Sequence, residues 1–257
     1  MAEPRTPTPA TEKETLLDHV AVAVPDPTIV MPFLVGELGG SRFEAGPGPG
    51  FRWSQWRYRG GGLIEILEPD GPPGGFLHRF LDRQGPGVHH VTFKVPSLRA
   101  AADRAAELGY EVVGYNDSYP GWKEAFLHPK QAQGIVIQLA ESYPELDLTA
   151  SPDGPFPDAP DPASEPVTLL GVRLSAASEA EARRQWGELL GGEAEDRDGE
   201  IVFRWPPSPM HIAVTLDPET EPGPLALEIA SETPTRLPSG PHPLLGIEFR
   251  QVDSTGR

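Results

Sequence analysis

The segment from Gly85 to Leu139 restricts the possible folds more than any other part of this chain. It begins with a strand-like run that carries two adjacent histidines, His89 to Val95. A helix pattern follows over Leu98 to Leu108, capped by Ser97, and further strand-like runs complete the segment. An apolar period of two residues indicates strands, whereas a period of 3.6 indicates a helix. The order strand, helix, then several strands predicts a βαβββ unit.

A similar order precedes this segment. Leu16 to Val24 alternates as a strand, and Thr28 to Leu38 fits a helix that ends at a glycine pair. Phe51 to Arg59 and Leu63 to Leu67 are separated by three glycines, which predicts a hairpin. Phe76 to Arg83 fits a short helix. The first half of the chain is therefore predicted to contain two successive βαβββ units.

The pattern returns in weaker form in the second half. Ser142 to Glu165 is rich in Pro and Asp and poor in apolar residues, which predicts a linker. Beyond it, one helix pattern begins after Ser178 and has strand patterns around it: Val167 to Ser175, Glu200 to Trp205, Met210 to Leu216, Leu225 to Ala230 and Leu244 to Val252. We therefore predict an α+β chain with a flexible tail over 1–14, a domain over 15–142, a linker over 143–165 and an abbreviated second domain over 166–253.

Composition excludes several classes of function. The net charge of −17 argues against nucleic acid or an anionic membrane as a partner. The chain has no cysteine, so disulfides, thiolate metal sites and a cysteine nucleophile are excluded. No apolar run approaches the roughly 20 residues that a membrane-spanning helix needs. We expect a cytoplasmic protein that acts on a small molecule.

Two motifs resemble a known superfamily. Gly87-Val88-His89-His90-Val91, and Phe126-Leu127-His128-Pro129-Lys130 followed by Gly134-Ile135-Val136-Ile137, are similar to the vicinal oxygen chelate proteins, which include glyoxalases, bleomycin-resistance proteins and dioxygenases. Within that group they resemble the methylmalonyl-CoA epimerases, over Leu16 to Glu141. The resemblance implies an incomplete barrel whose cleft holds one divalent metal ion. Its ligand positions fall on His19, Glu65, His90 and Gln138.

The residues themselves support this site independently. Alternation sends each of the four side chains to one face of its strand, between small or apolar neighbours. A buried imidazole or carboxylate is unfavourable unless it is paired or bound to a metal. Two imidazoles, a carboxylate and an amide oxygen suit Fe, Mn, Co, Ni or Zn and leave positions open for a substrate.

The sequence also departs from the epimerase pattern. That mechanism needs two carboxylate bases beside the substrate carbon, one of them the last metal ligand, and here that position is Gln138, whose amide cannot accept a proton. The third strand, 52–57, offers no acid either. Glu65 restores one carboxylate to the metal site and is our candidate catalytic residue.

Three functions fit this pattern. The first is an isomerase or lyase that acts on a small oxo-acid or acyl thioester through a metal-stabilised enolate. The second is an Fe(II) dioxygenase that uses His19, His90 and Glu65 as a two-histidine, one-carboxylate triad. The third is a protein that sequesters a ligand without turnover.

Aromatic and polar side chains near the predicted cleft are candidate substrate contacts: Trp53, Gln55, Trp56, Lys94, Trp122 and Lys123. His89 is expected to point away from His90, to the opposite face. In the second half, the positions that match His19 and Glu65 fall near Gly171 and Ala213, which bind no metal, and the nearby polar residues are expected to lack partners: His211, Glu228 and Glu248. We therefore predict a structural second domain, in a monomer with internal domain pairing or in a homodimer.

Overall fold

The computed structural model describes residues 14–143, 150–163, 165, 167–206 and 208–253. In the first half of this part of the chain, eight strands form one sheet in the order β2-β3-β4-β1-β5-β8-β7-β6. The strands are β1 (Leu16–Ala23), β2 (Ser41–Gly48), β3 (Phe51–Arg57), β4 (Leu63–Pro69), β5 (Gly87–Lys94), β6 (Val112–Asn116), β7 (Trp122–Leu127) and β8 (Val136–Ser142).

Helical segments connect these strands. Their bounds are Pro27–Ile29 (a 3-10 turn), Pro32–Glu37 (a π-helix), α1 (Phe76–Gln84) and α2 (Leu98–Glu107). In the centre of the sheet, β1 pairs parallel with β4 and antiparallel with β5, and β5 pairs parallel with β8. This pairing joins the two units into one continuous sheet. It also makes neighbours of β4, β1, β5 and β8, the strands that carry the candidate ligands.

The second sheet repeats this plan in shorter form. Its order is β10-β11-β12-β9-β13-β14. The strands are β9 (Val167–Ala176), β10 (Glu193–Arg197), β11 (Glu200–Arg204), β12 (His211–Leu216), β13 (Gly223–Ser231) and β14 (Glu248–Gln251), and α3 (Glu179–Ala182) continues as a π-helix over Arg183–Leu189. Strand β13 pairs with β9 and with β14, just as β5 pairs with β1 and with β8. Counterparts of β6, β7 and α2 are absent from 167–206 and 208–253, which confirms the predicted α+β fold with an abbreviated second copy.

Several element predictions are corrected. The strands β2 and β10 were not predicted, and β2 reads as a loop because it contains Gly46, Pro47 and Gly48. It is an edge strand in this sheet, where a proline without an N–H group is tolerated. The single helix expected over 28–38 is divided, because Pro32 lacks the N–H that an uninterrupted helix needs. The last strand begins at Glu248 rather than Leu244, since 242–246 forms a turn.

The two sheets contribute to one hydrophobic core. Phe33, on the first π-helix, packs against Phe249 of β14 with ring centres 4.9 Å apart. Phe93 of β5 packs in return against Trp205 at 4.7 Å and against Trp186 at 6.3 Å. One face of the first sheet is thereby buried in the core. We call the other face, which carries His19, Glu65 and His90, the inner face.

The segment predicted to be a linker packs against the first sheet over its described residues, 150–163. Ser151 exchanges two backbone hydrogen bonds with Ala45 at the edge strand β2. Phe156 lies edge-on to Trp56, with ring centres 5.4 Å apart. None of the helices in the described part of the chain is long and apolar enough to cross a membrane.

Candidate metal centre

Three central strands bring His19, Glu65 and His90 together. Ala21 of β1 is paired in register with Glu65 of β4 on one side and with His90 of β5 on the other. His19 precedes Ala21 by two residues, so its side chain emerges on the same face. One ligand atom from each of the three residues lies within 4.8 Å of the other two, and all three side chains are buried.

The distances suit a divalent cation. His19 Nε2 lies 3.6 Å from Glu65 Oε2, and His90 Nε2 lies 3.8 Å from Glu65 Oε1. Ligand atoms of one ion, each about 2.1 Å from it, are roughly 3 to 3.5 Å apart, so a small inward movement of the side chains suffices. His90 Nε2 is fully buried and has no hydrogen-bond partner. Such an atom is unfavourable in a folded protein, and a metal ion would satisfy it.

Two β-bulges shape the surroundings of the histidines. The pairing of β1 with β5 shifts register between Leu17 and His19, and again where His89 is inserted opposite the Ala21–Val22 step. At the first bulge, Asp18 Oδ2 lies 2.8 Å from His19 Nδ1. At the second, His89 Nδ1 lies 2.9 Å from His90 Nδ1. The expectation that His89 points away from His90 is therefore wrong, because a bulge interrupts the alternation on which it rests.

The electrostatic environment shifts the pKa values of the two candidate ligand histidines in opposite directions. Burial by itself would lower the pKa of His19, but the carboxylates of Glu65 and Asp18 outweigh it and raise that pKa to about 9. Burial would likewise raise the pKa of Asp18, which the contacts with His19 and Lys94 instead lower to about 2. For His90, burial and the neighbouring imidazoles hold the pKa well below its usual value. His90 is thus neutral at pH 7, the state in which an imidazole binds metal, whereas His19 is protonated at pH 7 and would release a proton on binding an ion.

Gln138 of β8 lies beside this cluster and is held at both ends of its amide. Its Oε1 accepts a hydrogen bond of 2.6 Å from Thr92 Oγ1, and its Nε2 donates one of 2.8 Å to Glu124 Oε2. Thr92 Oγ1 also lies 2.9 Å from His19 Nε2. These contacts place the Gln138 oxygen next to the cluster through Thr92.

Two acids on other strands of the same sheet were missed by sequence reasoning. Glu124 lies on β7, two strands from β5, and alternates onto the inner face with Trp122. Glu44 lies in an irregular part of β2, between Arg42 and Ala45, opposite Gln55 of β3. The alternation of β7 was a usable signal for Glu124, but β2 had to be recognised as a strand before Glu44 could be considered.

The candidate substrate contacts divide between the two faces of the sheet. Gln55 reaches the site directly, since its Nε2 donates to Glu65 Oε2 at 2.9 Å. Lys94 forms an ion pair of 3.0 Å with Asp18, and its Nζ lies 6.0 Å from the centre of the Trp122 ring. Trp53 lies farther along the inner face, packed against an apolar cluster formed by Ala21, Ala23, Leu67 and Leu77.

Two of the proposed contacts are corrected. Trp56 is only 1% exposed and lies in the main core, where its Nε1 donates to Ser54. Lys123 binds Glu141 at 2.7 Å, on the face of the sheet that packs against α2. Trp56 follows Gln55 in β3, and Lys123 precedes Glu124 in β7. Because Gln55 and Glu124 point to the inner face, alternation directs Trp56 and Lys123 to the opposite face.

The second sheet has no such ligand set at the matching positions. Gly171 occupies the place of His19, and any side chain there would collide with the backbone oxygen of His211. Ala213 and Ala226 pair with Arg173 as Glu65 and His90 pair with Ala21. These pairings place Gly171 and Ala213 at the positions of His19 and Glu65, as the sequence predicts.

The polar residues of the second sheet do have partners, contrary to our expectation. His211 Nε2 lies 2.7 Å from Glu228 Oε2, and Arg173 binds Glu228 at 2.7 Å. Glu248 pairs with Arg250 at 2.9 Å. Only the pairing of β9 with β13 brings Arg173 to Glu228.

Comparisons with known proteins agree with the fold described above. The family model described as "Glyoxalase/Bleomycin resistance protein/Dioxygenase superfamily" matches residues 18–126. The ethylmalonyl-CoA/methylmalonyl-CoA epimerase of Cereibacter sphaeroides is 31% identical over 135 residues, which are 49% of this chain and 96% of that protein. The mitochondrial methylmalonyl-CoA epimerase of Homo sapiens is 32% identical over 136 residues, 49% of this chain and 73% of that protein.

A solved structure extends the similarity to both sheets. A variant of 4-hydroxymandelate synthase from Streptomyces coelicolor superimposes with a TM-score of 0.59. The match covers 84% of this chain and 71% of that one at 14% identity, so it concerns the fold alone.

Proposed function

Since the chain belongs to the glyoxalase/bleomycin resistance protein/dioxygenase superfamily, we propose that it is a divalent-metal-dependent enzyme of the isomerase or lyase type. Its substrate would be a small oxo-acid or acyl thioester in which a proton moves next to the carbonyl group. The supporting observation is the buried, unbonded Nε2 of His90, which faces the carboxylate of Glu65. A divalent cation bound there would polarise the substrate carbonyl and so acidify the neighbouring C–H.

The protein side chains have separate tasks in this proposal. His19 and His90 hold the ion through their Nε2 atoms, and Gln138 contributes its amide oxygen. Glu65 completes the ligand set and is the residue that accepts the substrate proton, on Oε1. Its other oxygen, Oε2, is already held by Gln55. Gln55 therefore orients the carboxylate while leaving one oxygen directed toward His90.

Epimerisation also requires a proton donor on the other side of the substrate carbon. Gln138 cannot supply it because an amide does not ionise. The Glu124 carboxyl group is an ionisable group beside Gln138, since its Oε2 accepts a hydrogen bond from Gln138 Nε2. We propose that Glu124 takes this task, so that the acid on the last strand of the epimerase pattern is replaced by one on the adjacent strand β7.

The first test is the metal content of protein purified without added metal or chelator. We expect close to one equivalent in the wild type and none in a His19→Ala/His90→Ala double variant, both by mass spectrometry. Solvent deuterium incorporation is then measured under argon with ethylmalonyl-CoA and methylmalonyl-CoA, the compounds after which the two relatives are named. Metal-dependent incorporation without oxygen supports the proposal. Absence of metal, even after reconstitution with each candidate ion, would refute it.

A second candidate function is an Fe(II)-dependent dioxygenase. The observation in its favour is the ligand set itself, because two histidines and one carboxylate are characteristic of non-haem iron oxygenases. Iron in the purified protein together with substrate-dependent oxygen uptake would select this alternative. Tight binding of a ligand without exchange or oxygen uptake would instead indicate a sequestering protein.

A further inference from the structure

We infer that His89 is a positioning residue for the metal site, which selects the tautomer of His90 that can bind the ion. The inference rests on the metal site proposed above and adds a residue to it. His89 immediately precedes His90, and the β-bulge at this point turns both imidazoles to the inner face. Their Nδ1 atoms are 2.9 Å apart, within hydrogen-bond distance.

The contact between the two Nδ1 atoms constrains the protons. A hydrogen bond between two nitrogens contains one proton, so one imidazole donates through Nδ1 and the other accepts. If His90 donates, its Nδ1 is protonated and its Nε2 carries the free lone pair that a metal requires. If His89 donates, the proton of neutral His90 resides on Nε2, and His90 cannot be a ligand. The state of His89 thus decides whether His90 is competent.

The buried Nε2 of His90 supports the first arrangement. This atom makes no hydrogen bond, and Glu65 Oε1 lies 3.8 Å away, beyond hydrogen-bond distance, so a proton placed on it would be buried without a partner. A protonated Nδ1, in contrast, has the Nδ1 lone pair of His89 as its acceptor. Leaving a buried donor unsatisfied is the less favourable choice. The geometry therefore favours His90 as the donor and His89 as the acceptor.

Helix α1 holds His89 in place. The ring of His89 lies edge-on to Phe80, with centres 4.9 Å apart, and 5.7 Å from the centre of Phe76. These aromatic contacts leave the ring little freedom to turn its Nδ1 away from His90. His19 has an equivalent partner, since the residue before it, Asp18, contacts its Nδ1 at a second β-bulge. Each ligand histidine is thus oriented by the residue directly before it.

The test compares two substitutions of His89 by titration with Co(II) alone, against a chromophoric chelator. His89→Phe removes the acceptor but keeps a ring for Phe76 and Phe80. His89→Asn restores an acceptor oxygen near the position of Nδ1. We expect the first variant to bind Co(II) about 10- to 100-fold more weakly, with an altered visible absorption spectrum, and the second to bind close to wild type. His128→Phe, in the turn after β7, is the matched control and should bind as wild type does.

A measurement on the wild-type protein tests the inference even if a variant fails to fold. In the wild type loaded with Zn(II), ¹⁵N NMR should show His90 protonated on Nδ1 and His89 protonated on Nε2. A His89 protonated on Nδ1 would overturn the inference, as would equal Co(II) affinity and spectrum for wild type and His89→Phe. Equal losses in both His89 variants would also overturn it, because the acceptor would then be irrelevant. If the wild type itself binds no Co(II), the proposed metal site fails, which is a separate result.

Discussion

The guanidinium of Arg173 lies 2.7 Å from the carboxylate of Glu228. This ion pair occupies the part of the second sheet that corresponds to the candidate metal site of the first sheet. Arg173 takes the strand position of Ala21, and its partners in register are alanines instead of Glu65 and His90. A second carboxylate, that of Glu200, also binds the guanidinium. The second half therefore contains a permanent cation, the Arg173 guanidinium, at the position where the first half has its candidate metal site.

This ion pair should be important for stability but not for metal binding. Arg173→Met leaves Glu228 buried without its cation, and we expect a loss of about 3 kcal/mol or more in the free energy of unfolding. Urea denaturation monitored by circular dichroism measures this loss. Arg183→Met, which removes exposed ion pairs with Glu179 and Asp196, is the control and should cost less than about 1 kcal/mol. Similar losses for both variants would contradict the assignment.

Gln55 should affect metal affinity through Glu65. Gln55→Leu removes the hydrogen bond that holds Glu65 Oε2, so the carboxylate is free to turn away from the two histidines. We expect the dissociation constant for Co(II) or Zn(II) to rise about 10-fold or more. Chelator competition provides the measurement. Gln131→Leu, at a loop position where the amide accepts from Glu111 N, should leave the affinity unchanged.

Glu124 should separate catalysis from metal binding. Glu124→Gln keeps a hydrogen-bonding side chain beside Gln138 but removes the ionisable group. Metal content should remain near one equivalent, whereas inversion of configuration at the substrate carbon should fall about 100-fold, because exchange through Glu65 alone returns the hydrogen to the same side. Mass spectrometry measures the metal, and separation of the two epimers measures inversion on the same protein preparation. An unchanged rate of inversion would exclude Glu124 as the second proton-transfer group.

Glu141 should make stability depend on pH. Burial tends to raise the pKa of Glu141, but hydrogen bonds from Lys123, Tyr143 and the backbone N–H of Leu98 outweigh it and lower that pKa to about 2. A carboxylate whose pKa is lower in the folded state contributes stability above its unfolded value near 4.5, and this contribution is lost as the pH falls toward 2.

Glu141→Gln should therefore lower the free energy of unfolding at pH 7 by about 1 to 3 kcal/mol. The difference from the wild type should narrow steadily between pH 4.5 and pH 2. Denaturant titrations at several pH values measure it, with Glu107→Gln on the exposed side of α2 as the control. A difference that is independent of pH would show that the ionised carboxylate is not responsible.

The second half should be required for the solubility of the first. A chain ending at Ser142 would expose Phe93 and Phe33, which are covered by Trp205 and Phe249. Each buried aromatic ring contributes roughly 2 to 3 kcal/mol, so the truncated chain should aggregate. Soluble yield and size-exclusion chromatography measure this. A monodisperse truncated protein that binds Co(II) would show instead that the second half is an independent module. The full chain should elute as a monomer if the two halves pair internally.

Local patterns were sufficient to predict part of the site. Alternation within β1, β4 and β5 correctly assigned His19, Glu65 and His90 to one face, since the side chains of a regular strand alternate whatever it pairs with. The same rule failed for His89, because a β-bulge belongs to the pairing of two strands and has no signature in one of them. Trp56 shows that residue type alone can also mislead. Its aromatic side chain suited a binding site, yet its position in the strand directs it into the core.

The sequence by itself determined which side chains each strand presents, and thereby the α+β character and the shortened second copy. Only the tertiary structure decided which of those side chains meet. Glu65 and His90 are 25 positions apart along the chain (90 − 65), and they approach each other because both β4 and β5 pair with β1. The same holds for Glu124 with Gln138 and for Arg173 with Glu228. Periodicity is a property of a few consecutive residues, whereas register and bulges depend on how distant segments pack, and the candidate metal site depends on both.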